Sequence, residues 1–461
     1  MTVRTRIAPS PTGIAHIGTA YMALFNYAFA RQNDGEFLVR IEDTDRARFV
    51  EGAEQVIYDS LDWLEIPYTK TFRQSEHLED YSAAVQTLIQ KGHAYYCFCT
   101  PERLETMRKE QQARKEIPRY DRLCTHLPKE EVQKRLDSGE RHVIRMKMPD
   151  NEMISWDDLV RGTISINTKE LDDQVLMKSD GFPTYHLAVV VDDNRMQISH
   201  VIRGEEWISS TPKHILLYRY FGWQLPVFAH MPLLRNVDKT KMSKRKNDVS
   251  IPSYKEKGYL PQALRNYLCL MGWSHPDEKD IFALQEFIKV FSFSRMQTTG
   301  PIFDVKKLDW MNGKYIREVL KTDEVETALF PFLPDDFPQD LLPKILPLVR
   351  ERLVTLHDIG PLTEFFYHDI HPTVEELMGK KSSMSEAKKY LEAALSTLEK
   401  SFEETEMLAM VDSKGWNRGA FFTTLRVAVT GRTVSPPLFD TIRVLGKQLT
   451  LSRVKAAITL C

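Results

Sequence analysis

The 461-residue sequence has only five cysteines and no surplus of charge, since 62 lysines and arginines face 64 aspartates and glutamates for a net of −2. Each shortage excludes something. So few, unevenly spaced cysteines rule out a disulfide framework and fit a reducing cytosol. No stretch reaches the ~18–20 apolar residues of a membrane span, so no membrane partner is expected. The opening MTVRTRIAPSPTG carries no apolar run of the ~7–15 residues found in a secretory signal. Balanced charge means that a polyanionic partner has to be met by local basic patches. The absence of G-x-x-x-x-G-K-[ST] and of G-x-G-x-x-G removes the P-loop and the dinucleotide fingerprint. No repeat and no low-complexity tract occurs. The length implies about two to four domains.

What is present has an order. Residues 4–8 read as a strand, 9–13 as a loop, and 18–33 as a helix with Ala20, Leu24, Tyr27 and Ala28 toward the core. Residues 37–41 give a second strand and 52–64 a second helix, the spacing of a doubly wound parallel sheet. From about 85 to 185 the pattern changes to a charged run and short strand-like pieces, HVIRMKM and QVLMKS. YHLAVVVDD and ISHVIRG then read as strand ends, so an inserted domain splits the sheet. After about 310 the pattern is helical, with 384–408 as one long amphipathic segment.

Within IAPSPTGIAHIGTAYMALF, residues 7–25, a strand ends and Pro9, Pro11 and Gly13 force a tight loop. A helix then starts near His16-Ile17-Gly18-Thr19. Free N–H groups and partial positive charge at that point suit a phosphate, Gly18 admits a nucleotide base, and His16 can donate to phosphate oxygens. The alternative is a plain turn with a capping histidine. Further on, KTKMSKRK at 239–246 is either a basic phosphate loop or a solvated face.

Together the two stretches resemble the HIGH and KMSKS motifs of class I aminoacyl-tRNA synthetases. The runs TRIAPSPTG, RIEDTDRAR, DGFPTYHLAVVVDD, VIRGEEW, STPKHILLYR, MPLLRN, DKTKMSKRK, LPQALRNYLCLMGWS, LDWMNGKYIR and GRTVSPPLFDTIRVLGK are similar, nearly end to end, to bacterial-type glutamyl-tRNA synthetase. The resemblance implies a Rossmann-type catalytic domain in two halves, 1–90 and 185–238, split by an acceptor-arm α+β insertion at 91–184. A loop and helical stem-contact domain would follow at 239–315, then an all-α anticodon-binding region at 316–461. It implies ligation of L-glutamate to tRNA-Glu through a glutamyl-adenylate, with Mg²⁺ accompanying ATP, in a cytoplasmic monomer. Glutamyl synthetases also generally need bound tRNA before they activate the amino acid.

By the same resemblance the glutamate site falls on Arg6, Ala8, Ser10, Glu42, Tyr185 and Arg203. Two carboxylates and an ammonium require this mix of guanidinium and carboxylate partners. An Arg6–Glu42 salt bridge across adjacent strands is the competing reading. His16, Lys241 and Lys244 would stabilise charge on the departing pyrophosphate, with ATP held by His16, Gly18, Trp207 and Lys244. Trp207 reads equally well as a core residue. Gly18-Thr19-Ala20-Tyr21 departs from the commoner G-G-A-R continuation.

Cys97, Cys99, Cys124 and His126 form C-x-C, a 24-residue gap, then C-x-H. They supply the four ligands of a closed structural zinc site, and the pattern resembles the zinc site of some bacterial glutamyl synthetases. Tyr120 would neighbour the metal; small buried hydrophobic cysteines are the alternative. RNA contacts are expected at Arg46 and Arg48 and in the 102–122 segment with seven Lys or Arg; by the resemblance Arg350 and Arg352 fall near where the anticodon is read, a solvated helix face being the alternative. The rival functions are an enzyme that also charges tRNA-Gln, and a catalytically silent RNA-binding protein.

Overall fold

The computed structural model describes residues 2–45, 48–242, 249–379 and 382–461. The chain divides into two compact units, residues 1–254 with 264–305, and residues 255–263 with 306–461.

In the first unit β1 (Arg4–Ile7), β2 (Glu36–Ile41) and β3 (Lys70–Arg73) run parallel, joined through α1 (Ile17–Gln32) and α2 (Ala53–Trp63). After α3 (Leu78–Gln90) come β4 (Ala94–Cys97), α4 (Pro101–Ala113), α5 (Lys129–Asp137) and β5 (Val143–Met146). The hairpin of β6 (Met153–Asp158) and β7 (Gly162–Asn167) and then β8 (Val175–Met177) complete this stretch. α6 (Tyr185–Arg195), β9 (His200–Gly204), α7 (Thr211–Phe221) and β10 (Val227–Met231) follow. β9 and β10 pair in parallel within a four-stranded sheet ordered β7-β6-β10-β9. Ser199 N donates to Arg4 O at 3.0 Å, which sets the edge of this sheet beside β1. Loop ends from both sheets therefore open at one place, the topological switch point of a doubly wound fold.

Ala20, Leu24, Tyr27 and Ala28 are buried on α1, whose centre, residues 23–28, is buried on every side. A Cβ at Gly35, where the chain turns from α1 into β2, would overlap the Val3 carbonyl. Two expectations need correction. YHLAVVVDD is helix α6, not a strand end. Its centre, Leu187–Val191, is buried all round, and such a run has no polar face from which to tell a period of 2 from one of 3.6. The second correction concerns the segment 153–167, which lies inside the expected insertion. Its strand β6 pairs in parallel with β10 through Phe228 and Asp158, so this hairpin extends the catalytic sheet. The β4-β5-β8 sheet is antiparallel, in keeping with an α+β insertion.

The second unit is helical, with no strand among its described residues. The segment 384–408 is not one helix: Met384–Lys400 ends where Ser401 turns extended (φ −147°, ψ 144°), and Glu404–Ser413 begins a second. Phe402, between them, packs on the C-terminal core.

Leu187 is fully buried on α6. Replacing it with alanine should cost about 2–5 kcal/mol of stability, read by urea denaturation of the whole chain. A cost near zero would mean that α6 is not the central packing element of the first unit.

Candidate active site

A cavity of about 860 Å³ opens at the switch point. Arg6, Ala8, Ser10, His16, Gly18, Glu42, Tyr185, Arg203, Trp207 and Lys241 all line it, so the structure brings together residues up to 235 positions apart in sequence. Lys244 and Arg46 lie outside the described residues.

One wall starts from a helix end. His16 is the N-cap of α1, and its Nδ1 accepts from Gly18 N at 2.9 Å. The ring's remaining donor is therefore Nε2–H when neutral. A Cβ on Gly18 would sit 3.1 Å from that Nδ1, tighter than ordinary contact. Residues from the far side of the second motif meet this helix directly: Ile17 N donates to Val249 O at 2.8 Å and Ile251 N to Ala15 O at 3.1 Å. On the near side, Asn236 N donates to Thr240 O at 2.8 Å and Met242 N to Leu234 O at 3.1 Å, closing a hairpin that carries Lys241. Lys241 is exposed, with its ammonium 3.7 Å from Glu206.

Another wall is built over buried charges. Arg6 donates twice to Asp193, at 2.9 Å each, and Arg40 donates to the same carboxylate at 2.6 Å. Burial pushes Asp193 up, but the guanidinium groups of Arg6 and then Arg40 outweigh it and hold the carboxyl below its ordinary range. Glu42 accepts from Arg40 Nη2 at 3.0 Å. Its carboxyl is raised, because burial exceeds the help it gets from Arg40 and Arg6. Arg6 and Glu42 thus do not bridge each other; each takes a different partner. Arg203 is held by His230, His214 and Thr211. Tyr185 stacks on Trp207 with ring centres 4.2 Å apart, and burial pushes its hydroxyl up to about 12. Trp207 is half-buried at the cavity wall, not a core residue.

The sequence reading missed Arg40, Asp193, Asp158, His214 and His230. Arg40 had a signal: an arginine inside the otherwise apolar run FLVRI needs a buried partner. The Asp pair closing YHLAVVVDD was the other half of that signal.

Three of the four expected metal ligands converge. Cys97 and Cys124 are buried, Cys99 is half-buried, and the three sulfurs lie within 4.8 Å of one another. Cys99 and Cys124 sulfurs are 3.6 Å apart, close to the ~3.8 Å expected of two thiolates sharing a tetrahedral zinc at 2.3 Å. His126 is exposed and is not part of the donor group, which corrects its expected place there. The short turn Leu123–His126 carries it out toward solvent, and the Tyr120 hydroxyl stands 3.3 Å from both Cys97 and Cys99 instead.

The basic patches are partly neutralised. Arg103, Lys109, Arg114 and Arg122 pair with Asp121, Glu105, Glu116 and Asp173, leaving less of the 102–122 run for an outside anion. Arg48 is exposed on the cavity rim, 2.5 Å from Asp45. In the second unit Arg350 donates to Ile316 O at 2.8 Å and Leu320 O at 2.5 Å, closing the π-helical turn Tyr315–Val319. Arg352 is exposed.

Asp193→Asn should cost about 3–5 kcal/mol, since it leaves two buried guanidinium groups without their anion. The sign in pH follows from the depressed carboxyl. Its stabilisation is fully present above the ordinary aspartate value of ~4 and drains away as pH falls through the lower folded value. Chemical denaturation of both proteins from neutral to acid pH should therefore show the gap between them closing only in acid.

Residues 2–310 match the model for tRNA synthetases class I (E and Q), catalytic domain, and residues 322–458 match an anticodon binding domain. A glutamate–tRNA ligase of Acidothermus cellulolyticus is 47% identical over 99% of this chain and 95% of its own length. One of Cellvibrio japonicus is 46% identical over 99% and 93%. A crystal structure of a glutamate tRNA ligase from Elizabethkingia meningosepticum, in complex with its amino acid, superposes with a TM-score of 0.91 at 33% identity. That superposition covers 100% of this chain and 99% of the other. On this similarity, joined to the parallel-sheet cavity and the helical C-terminal unit, the chain belongs to the glutamate–tRNA ligase family of class I tRNA synthetases.

Proposed function

We propose that this protein ligates L-glutamate to tRNA-Glu through a glutamyl-adenylate, with ATP as the second substrate. One observation carries the reading. A single cavity has a helix N-terminus with His16 and Gly18 on one wall and the Arg6, Glu42 and Arg203 charges on another.

The chemistry needs no protein nucleophile. A carboxylate oxygen of glutamate attacks the α-phosphorus of ATP, and the bond to the bridging oxygen breaks as pyrophosphate leaves. A ribose hydroxyl at the tRNA terminus then attacks the acyl carbon, and AMP departs. Catalysis comes from alignment and from charge stabilisation at the leaving group. His16 through Nε2 and Lys241 would meet the phosphates, with Lys244 joining them from outside the described residues. Lys241 would exchange Glu206 for pyrophosphate. Arg6, Arg203 and Tyr185 would engage the substrate carboxylates, Glu42 the ammonium, and Ala8 and Ser10 the cavity wall. Mg²⁺ would arrive with ATP. Trp207, stacked on Tyr185, would pack at the adenosine.

The β4-β5-β8 region would grip the acceptor end, pinned by one structural zinc on Cys97, Cys99 and Cys124. Tyr120 would stand beside the metal, and His126 could join only by moving in from solvent. The helical second unit would read the anticodon through Arg352, since Arg350 is committed to backbone carbonyls. A cytoplasmic monomer would suffice for all of this.

Charging assays with separately purified tRNA-Glu and tRNA-Gln test the proposal. Glutamylation of tRNA-Glu alone is the expected result. Charging of both would make the enzyme non-discriminating, and charging of neither, with Mg²⁺ and zinc supplied, would refute the activity. Elemental analysis should find one zinc per chain, lost in Cys99→Ser. That variant should melt at lower temperature while its KM for ATP stays within about twofold of the parent, because a structural metal contributes folding energy and no chemistry.

A further inference from the structure

Arg203 differs from the other buried arginines at and beneath the cavity in what holds it. Arg6 and Arg40 are ion-paired to carboxylates. Arg203 is 6% exposed and has no carboxylate partner among the described residues. Its Nε donates to His230 Nε2 at 3.1 Å, its Nη1 to His214 Nδ1 at 3.1 Å and its Nη2 to Thr211 Oγ1 at 2.8 Å. A guanidinium only donates, so each ring nitrogen facing it has to be an unprotonated acceptor.

The tautomers follow from that. His230 carries its proton on Nδ1 and gives it to Asp158 Oδ2 at 2.5 Å, with both side chains fully buried. His214 carries its proton on Nε2 and gives it to His186 Nδ1 at 3.1 Å. Burial first, and then the charge of Arg203 with Arg161 at His230 and with His186, Lys213 and Arg6 at His214, sets each ring against a second proton; only Asp158, at His230, pulls the other way. Three N–H groups are thus spent on neutral acceptors, and the guanidinium keeps its whole charge in a buried place.

We infer that His214 and His230 are positioning residues: as neutral acceptors they fix the plane of Arg203 without cancelling the charge that a substrate carboxylate has to find. The inference rests on the reading of this cavity as the glutamate site. A glutamate in either position would hold the guanidinium as firmly and supply the anion in place of the substrate. An uncharged glutamine would hold it and leave the charge intact.

The test compares the full chain with His214→Gln, His214→Glu, His230→Gln and His230→Glu in glutamylation of tRNA-Glu, with melting temperatures to verify folding. The Gln variants should keep KM for glutamate within about threefold of the parent, whereas the Glu variants should raise it by about tenfold or more. KM for ATP should move less than about threefold in all four, since the lost interaction is not with the nucleotide. Equal effects of Gln and Glu at both positions, or Glu variants with an unchanged KM for glutamate, would overturn the inference. Should the Glu variants not fold, the parent decides it. Neutral, cation-flanked rings predict a flat KM for glutamate between about pH 6 and 8, and a rise of about tenfold toward acid through an ordinary imidazole pKa would refute it. A parent that charges no tRNA at all would instead defeat the glutamate reading itself.

Discussion

The carboxylate of Asp193 holds the first unit's site together. It stands near the end of α6 and accepts from Arg6 on β1 and Arg40 on β2, so one side chain fixes a helix to two neighbouring strands. Burying an ion costs several kcal/mol even after relaxation, and only a complete set of partners offsets that cost. The set is extensive here. Asp192, next in the chain, accepts from Gln74 at 2.7 Å and from Tyr81 at 2.8 Å, and stands 3.6 Å from Arg40. Arg40 in turn reaches Glu42. Removing one member leaves another charge stranded, and such a network holds a single geometry in place of several.

That geometry grades charge across the cavity floor. Arg6 is largely neutralised by Asp193, whereas Glu42 is only partly compensated, as its raised carboxyl shows. Among the described residues Arg203 hydrogen-bonds to neutral groups. A ligand bearing an ammonium and two carboxylates would supply the charges this floor lacks, whereas an amino acid with an uncharged side chain brings one carboxylate fewer. Placing cations opposite anions by a rigid scaffold means that little reorganisation remains when the ligand arrives.

Much of this was legible in the sequence, and the failures share a cause. The strand–loop–helix at 4–32 reads correctly because its loop is punctuated by Pro9, Pro11 and Gly13 and the apolar pattern after it, 16 residues in α1, is too long for a strand. Residues that line the cavity were named in advance from the resemblance to a known family. The residues beneath them were not. Arg40, Asp193, His214 and His230 act through one another, and their partners come from distant positions that no local spacing reveals. α6 was misread for the same reason: its central run is buried on every side and shows no polar face. His126 has the right spacing for a ligand, but spacing fixes only reach; the turn at Leu123–His126 decides direction.

The same limit explains why a boundary drawn by chain order misplaces Asp158. By sequence it belongs to the inserted segment, between the metal-ligand pattern and the return to the parallel sheet. In space β6 lies against β10, and Asp158 accepts from the His230 backbone N–H at 3.1 Å as well as from its ring. Its Oδ1 also receives Val160 N at 3.0 Å and Arg161 N at 3.1 Å, which closes the β6–β7 turn. One carboxylate therefore shapes a hairpin of the nominal insertion and sets the tautomer of a histidine that holds Arg203. Domains defined by where the chain leaves and re-enters a sheet are covalent units. The unit that holds Arg203 is a hydrogen-bonded one, and it crosses that boundary.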